Sequence, residues 1–516
     1  MANGNGIQDK VVDFLSEPRS YGPDVDVVER HETHGAIVFL AGDRAYKLKR
    51  AVKFPYMDYS TVELRRQMCA RELTVNRRTA PKLYLEVRPI VSEDGALRFG
   101  SQTESGKVLD WVVVMRRFEQ GALLENQRQS DGLTTRLMRL VGETVARFHA
   151  EAEVERDLGG EAEIRAVIAG NAAIVKSRLG RPFSAESLAQ YESLAVKVLG
   201  RVAELLETRR QQGHVRRCHG DLHLNNIYLL DEVPVLFDAI EFSDRFACID
   251  VLYDLAFLLM DLDRHGLRAF ANTVLNRYLE LSGEHAGLPA LPLFLSCRAA
   301  VRSHTTVARA EACKDNALQP SLLRDAAALM DLAVDYLAST TPRLIAIGGL
   351  SGTGKSTLAH ALAPLLGTPP GAVVIRSDVV RKQLIGVAES FRLPESAYTR
   401  EASERVYKRI AEIAADTLAS GYTVIADAVY GRENERQAIA QVAQHWGVEF
   451  SGLWLEGPTA LLEQRITARR DDASDATPDV LRAQVGFVTL PQTWNTIDAG
   501  VPPDDSLSQA RRILDC

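Results

Sequence analysis

The sequence predicts an α+β region over the first two-thirds of the chain and an α/β domain with a parallel sheet over the remainder. Three observations carry this. Apolar runs of strand length dominate 36–118, and helical periodicity then takes over to about 338. The stretch "STTPR" at 339–343 breaks that periodicity, and beyond it short apolar strands alternate with helices. "GLSGTGKS" at 349–356 fits G-x-x-x-x-G-K-[ST] at every fixed position, between an apolar strand and a helix. With 516 residues the chain exceeds what one hydrophobic core serves, so two domains are expected, 1–338 and 339–516.

The elements follow in order. "AIVFL" (36–40), a Gly42-Asp43 turn and "RAYKLK" (44–49) read as a hairpin. Residues 61–80 read as a helix stopped by Pro81, and 83–91 and 111–118 read as strands. These make a small lobe over about 30–118. Helical patterns over 134–150, 160–210 and 250–338 make a larger lobe over about 119–338, interrupted by strands and loops at 219–242. In the last third, "LIAIGGL" (344–350), "AVVIR" (372–376), "TVIAD" (423–427) and "SGLWL" (451–455) are buried strands of a parallel sheet. The formal net charge of -7 argues against nucleic acid as partner. Six cysteines without close pairing suggest neither a metal framework nor a disulfide scaffold. No uninterrupted apolar stretch of membrane-spanning length and no signal core are visible, so a cytoplasmic home is expected. The oligomeric state is left open.

The glycine-rich stretch is built for phosphate. Gly349, Ser351, Gly352, Thr353 and Gly354 let the backbone fold around phosphate oxygens at the start of the next helix. Lys355 is expected to neutralise the β- and γ-phosphates of ATP, Ser356 to hold Mg²⁺, and Thr357 to complete the loop. In "RSDVVRK", Asp378 and Arg381 stand three apart on one helical face: an acid for a hydroxyl proton and a cation for phosphate charge. Asp427 closes "TVIAD" where such folds hold the metal shell, and Ala428 follows in place of a motor ATPase's glutamate. Arg465 and Arg469, four apart, are expected to close over the nucleotide as a lid. No N-K-x-D element is present, which disfavours a guanine-nucleotide switch.

A second constellation lies upstream. In "HGDLHLNN" (219–226), Asp221 and Asn226 stand five apart, the spacing at which protein-kinase-like folds place a catalytic base and a Mg²⁺-binding amide. Asp238, twelve residues on, supplies a second hard-cation ligand after an apolar strand. Lys47 holds the third position of "AYK" and is expected to reach the ATP phosphates, with Glu72 of the helix at 61–80 as its ion-pair partner. The adenine hinge is expected near 115–119. A full G-x-G-x-x-G loop is missing; the first hairpin offers only Gly35 and Gly42.

These residues carry two resemblances. "HGD-x-x-x-x-N" before a strand ending in Asp resembles the aminoglycoside phosphotransferase and choline kinase superfamily, over about 30–335. "GLSGTGKST", "SDVVR", "VIADA" and "RITARRDDASDATPDVL" resemble the small P-loop kinases around zeta-toxin, chloramphenicol phosphotransferase, polynucleotide kinase and gluconate kinase, over about 342–516. A closer likeness is to predicted two-domain bacterial proteins that fuse the first to an AAA-type ATP-binding kinase. The resemblance implies an α+β protein-kinase-like (aminoglycoside phosphotransferase) domain followed by an α/β P-loop kinase domain. It also implies transfer of the ATP γ-phosphoryl group to hydroxyls of small molecules in both domains, with Mg²⁺. It casts His219, with Asp250 and Asp254 of "IDVLYDL", as structural braces of the catalytic loop. Two alternatives stand beside this: a P-loop kinase gated by a ligand-sensing N-terminal domain, and an ATPase acting at nucleic-acid ends.

Overall fold

A computed structural model of the chain describes residues 5–54, 56–101, 107–313, 315–468 and 474–516. They form two compact units, 1–163 with 208–258 and 164–207 with 259–516, a division that does not fall at 339.

The first unit is built on a six-stranded antiparallel sheet. Its strands are β1 (Val28–Glu32), β2 (Ala36–Ala41), β3 (Arg44–Lys49), β4 (Tyr84–Glu93), β5 (Ala96–Phe99) and β6 (Lys107–Arg116). Their spatial order is β1-β2-β3-β6-β4-β5. The period-2 alternation sends Phe39, Leu48, Ile90, Val112 and Val114 to one face, where an N-terminal helix, Asn5–Ser16, covers them with Val11 and Leu15. The sequence reading had left that helix and strand β1 unassigned. The other face receives helix α1 (Val62–Asn76) through Cys69, with Tyr84, Val87 and Val113. Thr61 caps this helix by accepting from the Leu64 amide. The helix ends at Asn76, four residues before Ala80, because Arg77–Ala80 turn back onto it through the Ala80 amide and the Asn76 carbonyl. The unit also holds a hairpin of β7 (Ile227–Leu230) and β8 (Val233–Leu236).

In the second unit five parallel strands form one sheet: β9 (Arg343–Gly349), β10 (Val373–Arg376), β11 (Val424–Asp427), β12 (Glu449–Glu456) and β13 (Asn495–Asp498). The order is β10-β11-β9-β12-β13. The middle strands are apolar on both faces, as a sheet covered on both sides requires. Strand β13 escaped the sequence reading because it is four residues long and only Ile497 is buried. This is the arrangement of a P-loop kinase fold, and with the kinase-like first region it gives the expected fold class. Helix α2 (Arg268–Ser282) and the helices Leu291–Ala312 and Gln319–Asp335 belong to the same unit. No helix of the described residues is long and apolar enough to cross a membrane.

Two histidines of this unit make it acid-sensitive. Burial, with Arg409 near His285 and Arg178 near His304, pushes both imidazoles down to about 4. Their folded pKa values lie below that of the unfolded chain, so the unfolded state binds the extra protons. Stability is full above pH 6.5 and is lost as pH falls towards 4, on the order of 2–3 kcal/mol per histidine. Urea unfolding at pH 7 and pH 4.5 should show this loss, reduced by His304→Gln; an unchanged midpoint would contradict it.

Candidate active sites

In the first unit, β3 aims two lysines at one carboxylate. Lys47 and Lys49 share a strand face, and α1 places Glu72 against both. Lys47 Nζ lies 2.8 Å from Glu72 Oε1 and 2.5 Å from Asp238 Oδ1. Lys49 Nζ lies 2.6 Å from Glu72 Oε2 and also bonds Glu241, which in turn accepts from Tyr59 Oη at 2.7 Å. Burial works against the Lys47 charge, but Asp238 and Glu72 outweigh it and hold the ammonium's pKa well above its usual value. Glu72 is held below the usual carboxylate range by the two ammoniums, against its own burial. Glu63, at the start of the same helix, pairs with Arg66 on the surface.

The loop at 219–226 is braced from beneath. Asp254 accepts from the His219 amide (3.0 Å) and the Gly220 amide (2.8 Å), and its Oδ2 lies 3.1 Å from His149 Nε2. His219 Nε2 lies 2.8 Å from the Phe237 carbonyl, tying the loop to the chain before Asp238. Gly220 adopts φ +83°, and a Cβ there would sit 2.7 Å from the Phe246 carbonyl, so only glycine fits. Asp250, expected in the same brace, is placed elsewhere by the bonds described: it holds Arg209 at 2.7 and 2.9 Å and accepts from the Leu252 amide. On the loop, Asn226 Nδ2 donates to the Asp221 carbonyl (2.9 Å) and to Asp221 Oδ2 (3.1 Å), which turns its amide oxygen the other way. Asp221 Oδ2 lies 3.4 Å from His223 Nε2. Asp238, at φ +63°, is fixed by its amide donating to Tyr84 Oη at 3.2 Å. The expected residues Lys47, Glu72 and Asp238 thus meet directly, and Asp221 meets Asn226.

In the second unit the glycine-rich loop joins β9 to helix α3 (Lys355–Leu362). Gly352 lies at φ +86°, with the Leu462 carbonyl 2.7 Å from where a Cβ would stand. Lys355 Nζ donates to the Leu350 carbonyl at 2.9 Å, and Ser356 Oγ to Asp427 Oδ2 at 2.5 Å. Thr353 is buried, its hydroxyl donating to the Leu350 carbonyl at 2.8 Å, so it shapes the loop from within. A cavity of about 460 Å³ opens here, lined by Lys355, Ser356, Thr357, Asp378, Arg381 and Asp427 among others. Helix α4 (Ser377–Ile385) carries Asp378 and Arg381 on the cavity wall, as their spacing requires. Burial and the neighbouring Asp427 carboxylate push the Asp378 pKa up, against Arg376, Ser474 and Lys355.

Two arginines depart from expectation. Arg381 donates to the Ala397 carbonyl (2.8 Å) and stacks over the Tyr398 ring, holding the segment that walls the cavity. Arg465, on helix α5 (Thr459–Ala468), donates to the Ala499 carbonyl at 2.8 Å and does not line the cavity; as a lid over the nucleotide it is corrected to a brace of the chain after β13. Arg469 lies outside the described residues. Sequence reasoning missed three polar groups. Gln484, on helix α6 (Pro478–Phe487), pairs with the phosphate loop at Ser351 N (2.9 Å) and Ser351 Oγ (3.0 Å). Asp475 gathers the Leu393 amide, Tyr398 Oη and Lys382. Glu241 completes the Lys49 cage. None stands in a motif of fixed spacing, though "FDAIEF" offered Glu241 three residues after Asp238.

A lysine–carboxylate cluster on one kinase fold and a glycine-rich phosphate-type loop with Lys355 on the other define the class: the chain is a kinase with two kinase-type domains. A family model described as "Phosphotransferase enzyme family" matches 69–291, and one described as "AAA domain" matches 344–491. Uncharacterized protein Rv2004c of Mycobacterium tuberculosis (strain ATCC 25618 / H37Rv) is 30% identical over 510 residues, 96% of this chain and 97% of the relative. This chain belongs to the same two-domain family. It is also 31% identical over 118 residues to the adenylyl-sulfate kinase of Myxococcus xanthus (strain DK1622), 23% of this chain and 59% of that enzyme. Among solved structures, a thermostable mutant of aminoglycoside phosphotransferase APH(4)-Ia aligns over 64% of this chain and 99% of its own, at 17% identity and a TM-score of 0.40.

Proposed function

We propose that the chain is a bifunctional ATP-dependent phosphotransferase, with one catalytic domain over 1–338 and a second over 339–516. Each hands the γ-phosphoryl group of ATP to a hydroxyl of a small molecule such as a sugar or amino sugar. The observation that carries this reading is that each half sets a lysine, a catalytic-type carboxylate and oxygen donors on a kinase fold: Lys47 against Glu72 and Asp238 with Asp221 against Asn226 in the first, and Lys355, Ser356, Asp378 and Asp427 around one cavity in the second. Asp427 and Ser356 Oγ, 2.5 Å apart, are a donor pair suited to Mg²⁺, and Asn226, whose carbonyl accepts from the amide of Phe237 beside Asp238 at 3.0 Å, would with Asp238 supply the other. When bound, that ion supplies charge neutralisation on the transferring phosphate.

The remaining work falls to the chain. Lys47, oriented by Glu72, draws the ATP phosphates of the first site, and Asp221 takes the acceptor's proton. In the second, Gly349, Ser351, Gly352, Thr353, Gly354 and Thr357 shape the loop around the phosphates and Lys355 neutralises them. Asp378 is the base, and Arg381 holds the wall beside it. The net charge of -7 favours a small acceptor over nucleic acid.

Asp378 also marks a trade between stability and activity. Its raised pKa means that burial penalises the charged form, so at neutral pH the folded chain bears a cost that disappears once Asp378 is protonated. Asp378→Asn should therefore raise the melting temperature at pH 7, by less as pH falls towards 4, while abolishing transfer in this half. A fall in melting temperature would contradict the burial argument.

The reading is tested by incubating the full chain with ATP and a metabolite library and identifying phosphorylated products by mass spectrometry. Two product sets are expected, one lost in Asp221→Asn and the other in Lys355→Ala. If Lys355→Ala removes every product and Asp221→Asn none, the N-terminal half is a ligand sensor.

A further inference from the structure

Strand β10 is an edge of the parallel sheet, and an edge strand leaves main-chain groups in need of partners. Helix α2, in the same compact unit, supplies them from side chains. Asn272 and Asn276, one turn apart, donate to the Ala372 carbonyl at 3.0 and 3.2 Å, and the Val374 amide donates to Asn276 Oδ1 at 2.7 Å. Both asparagines are buried. Amides on a helix thus take the place of a sixth strand, directly before Arg376 and the Asp378 helix.

The next residue of α2 extends the contact into the phosphate site. Arg277 Nη1 lies 2.9 Å from Glu280 Oε2 on its own helix and bonds Glu389 Oε2. Glu389 Oε1 lies 3.5 Å from Arg376 Nη1, and Arg376 Nε lies 3.8 Å from Asp427 Oδ2. Asp427 Oδ2 is the atom that accepts from Ser356. Charges alternate in sign along Arg277, Glu389, Arg376 and Asp427, and none of the four side chains is more than 19% exposed. In such surroundings a displaced charge is felt by its neighbours more than it would be in water.

We propose that Arg277 is a positioning residue of the P-loop site: through Glu389 and Arg376 it sets where Asp427 stands at the magnesium and phosphate end. This rests on reading the cavity as a nucleotide site. Removing Arg277 leaves Glu389 to draw Arg376 to itself, away from Asp427. Because Arg277 reaches Asp427 by way of Glu389, the effect of its removal on Asp427 depends on Glu389 being charged.

The test uses the full chain carrying Asp238→Ala, so that only the P-loop half binds nucleotide. The Mg²⁺ dependence of binding a fluorescent ATP analogue is measured for Arg277→Met, Glu389→Gln and the double variant, beside thermal unfolding. Arg277→Met should shift the Mg²⁺ midpoint upward by about 3-fold or more, and the same change in the Glu389→Gln chain should shift it by less than about 1.5-fold, the signature of coupled neighbours. Arg277→Lys keeps the charge and should restore most of the midpoint, which also covers the case where Arg277→Met does not fold. Equal shifts in both backgrounds, or a lower melting temperature with an unmoved midpoint, would overturn the proposal. Lys355→Ala in the same chain tests the cavity reading separately: retained binding overturns the nucleotide assignment and the proposal with it, whereas lost binding leaves the relay to be judged by the shifts.

Discussion

Lys355→Ala is expected to lower phosphoryl transfer by the P-loop half about 100- to 1,000-fold, the scale on which removing one preorganised charge from a developing anion is felt. The side chain stands at the start of α3 on the cavity wall, and no neighbour is free to take its place. Arg376 is engaged by Glu389 and lies near Asp427, and Arg381 is spent on the Ala397 carbonyl and the Tyr398 ring. The fold should survive, because Lys355 Nζ bonds the loop's own Leu350 carbonyl and the apolar β9–α3 packing does not use it. Circular dichroism and melting temperature near those of the parent, with turnover of the N-terminal half retained, are the expected controls. Loss of both activities at once would tie the halves into a single catalytic device.

Asp221→Asn is expected to lower transfer by the N-terminal half about 100- to 10,000-fold, the range for removing a positioned general base. The substitution is nearly isosteric. Asn226 Nδ2 keeps its bond to the residue 221 carbonyl, so the loop geometry should hold while the base is lost. Asp254, which carries the loop amides, is untouched. A retained rate would show that Asp221 orients the loop without accepting a proton.

Much of the fold was legible because it rests on short-range rules. Apolar runs of strand length and a hairpin turn marked β2, β3 and β6, and continuous apolar runs marked β9, β11 and β12. Asp221 with Asn226 and Lys355 with Ser356 stand at spacings fixed by a loop's own geometry, and so were visible in one dimension. Glu72 was placed with Lys47 by its position on α1, and the two lie 2.8 Å apart. What escaped depends on distant pairing. Gln484 meets Ser351 across 133 residues, and Asn272 meets Ala372 across 100. An asparagine on a helix gives no sign in sequence that it completes a strand's edge. Arg465 misled because a basic helical face looks alike whether it closes on a nucleotide or anchors a carbonyl.

The stoichiometry of ATP bound to the full chain with Mg²⁺, by isothermal titration, tests most directly whether two nucleotide pockets exist. Two molecules per chain are expected, falling to one in Lys355→Ala and to one in Asp238→Ala, and to none when both are changed. A single molecule per chain, abolished by Lys355→Ala alone and untouched by Asp238→Ala, would contradict it.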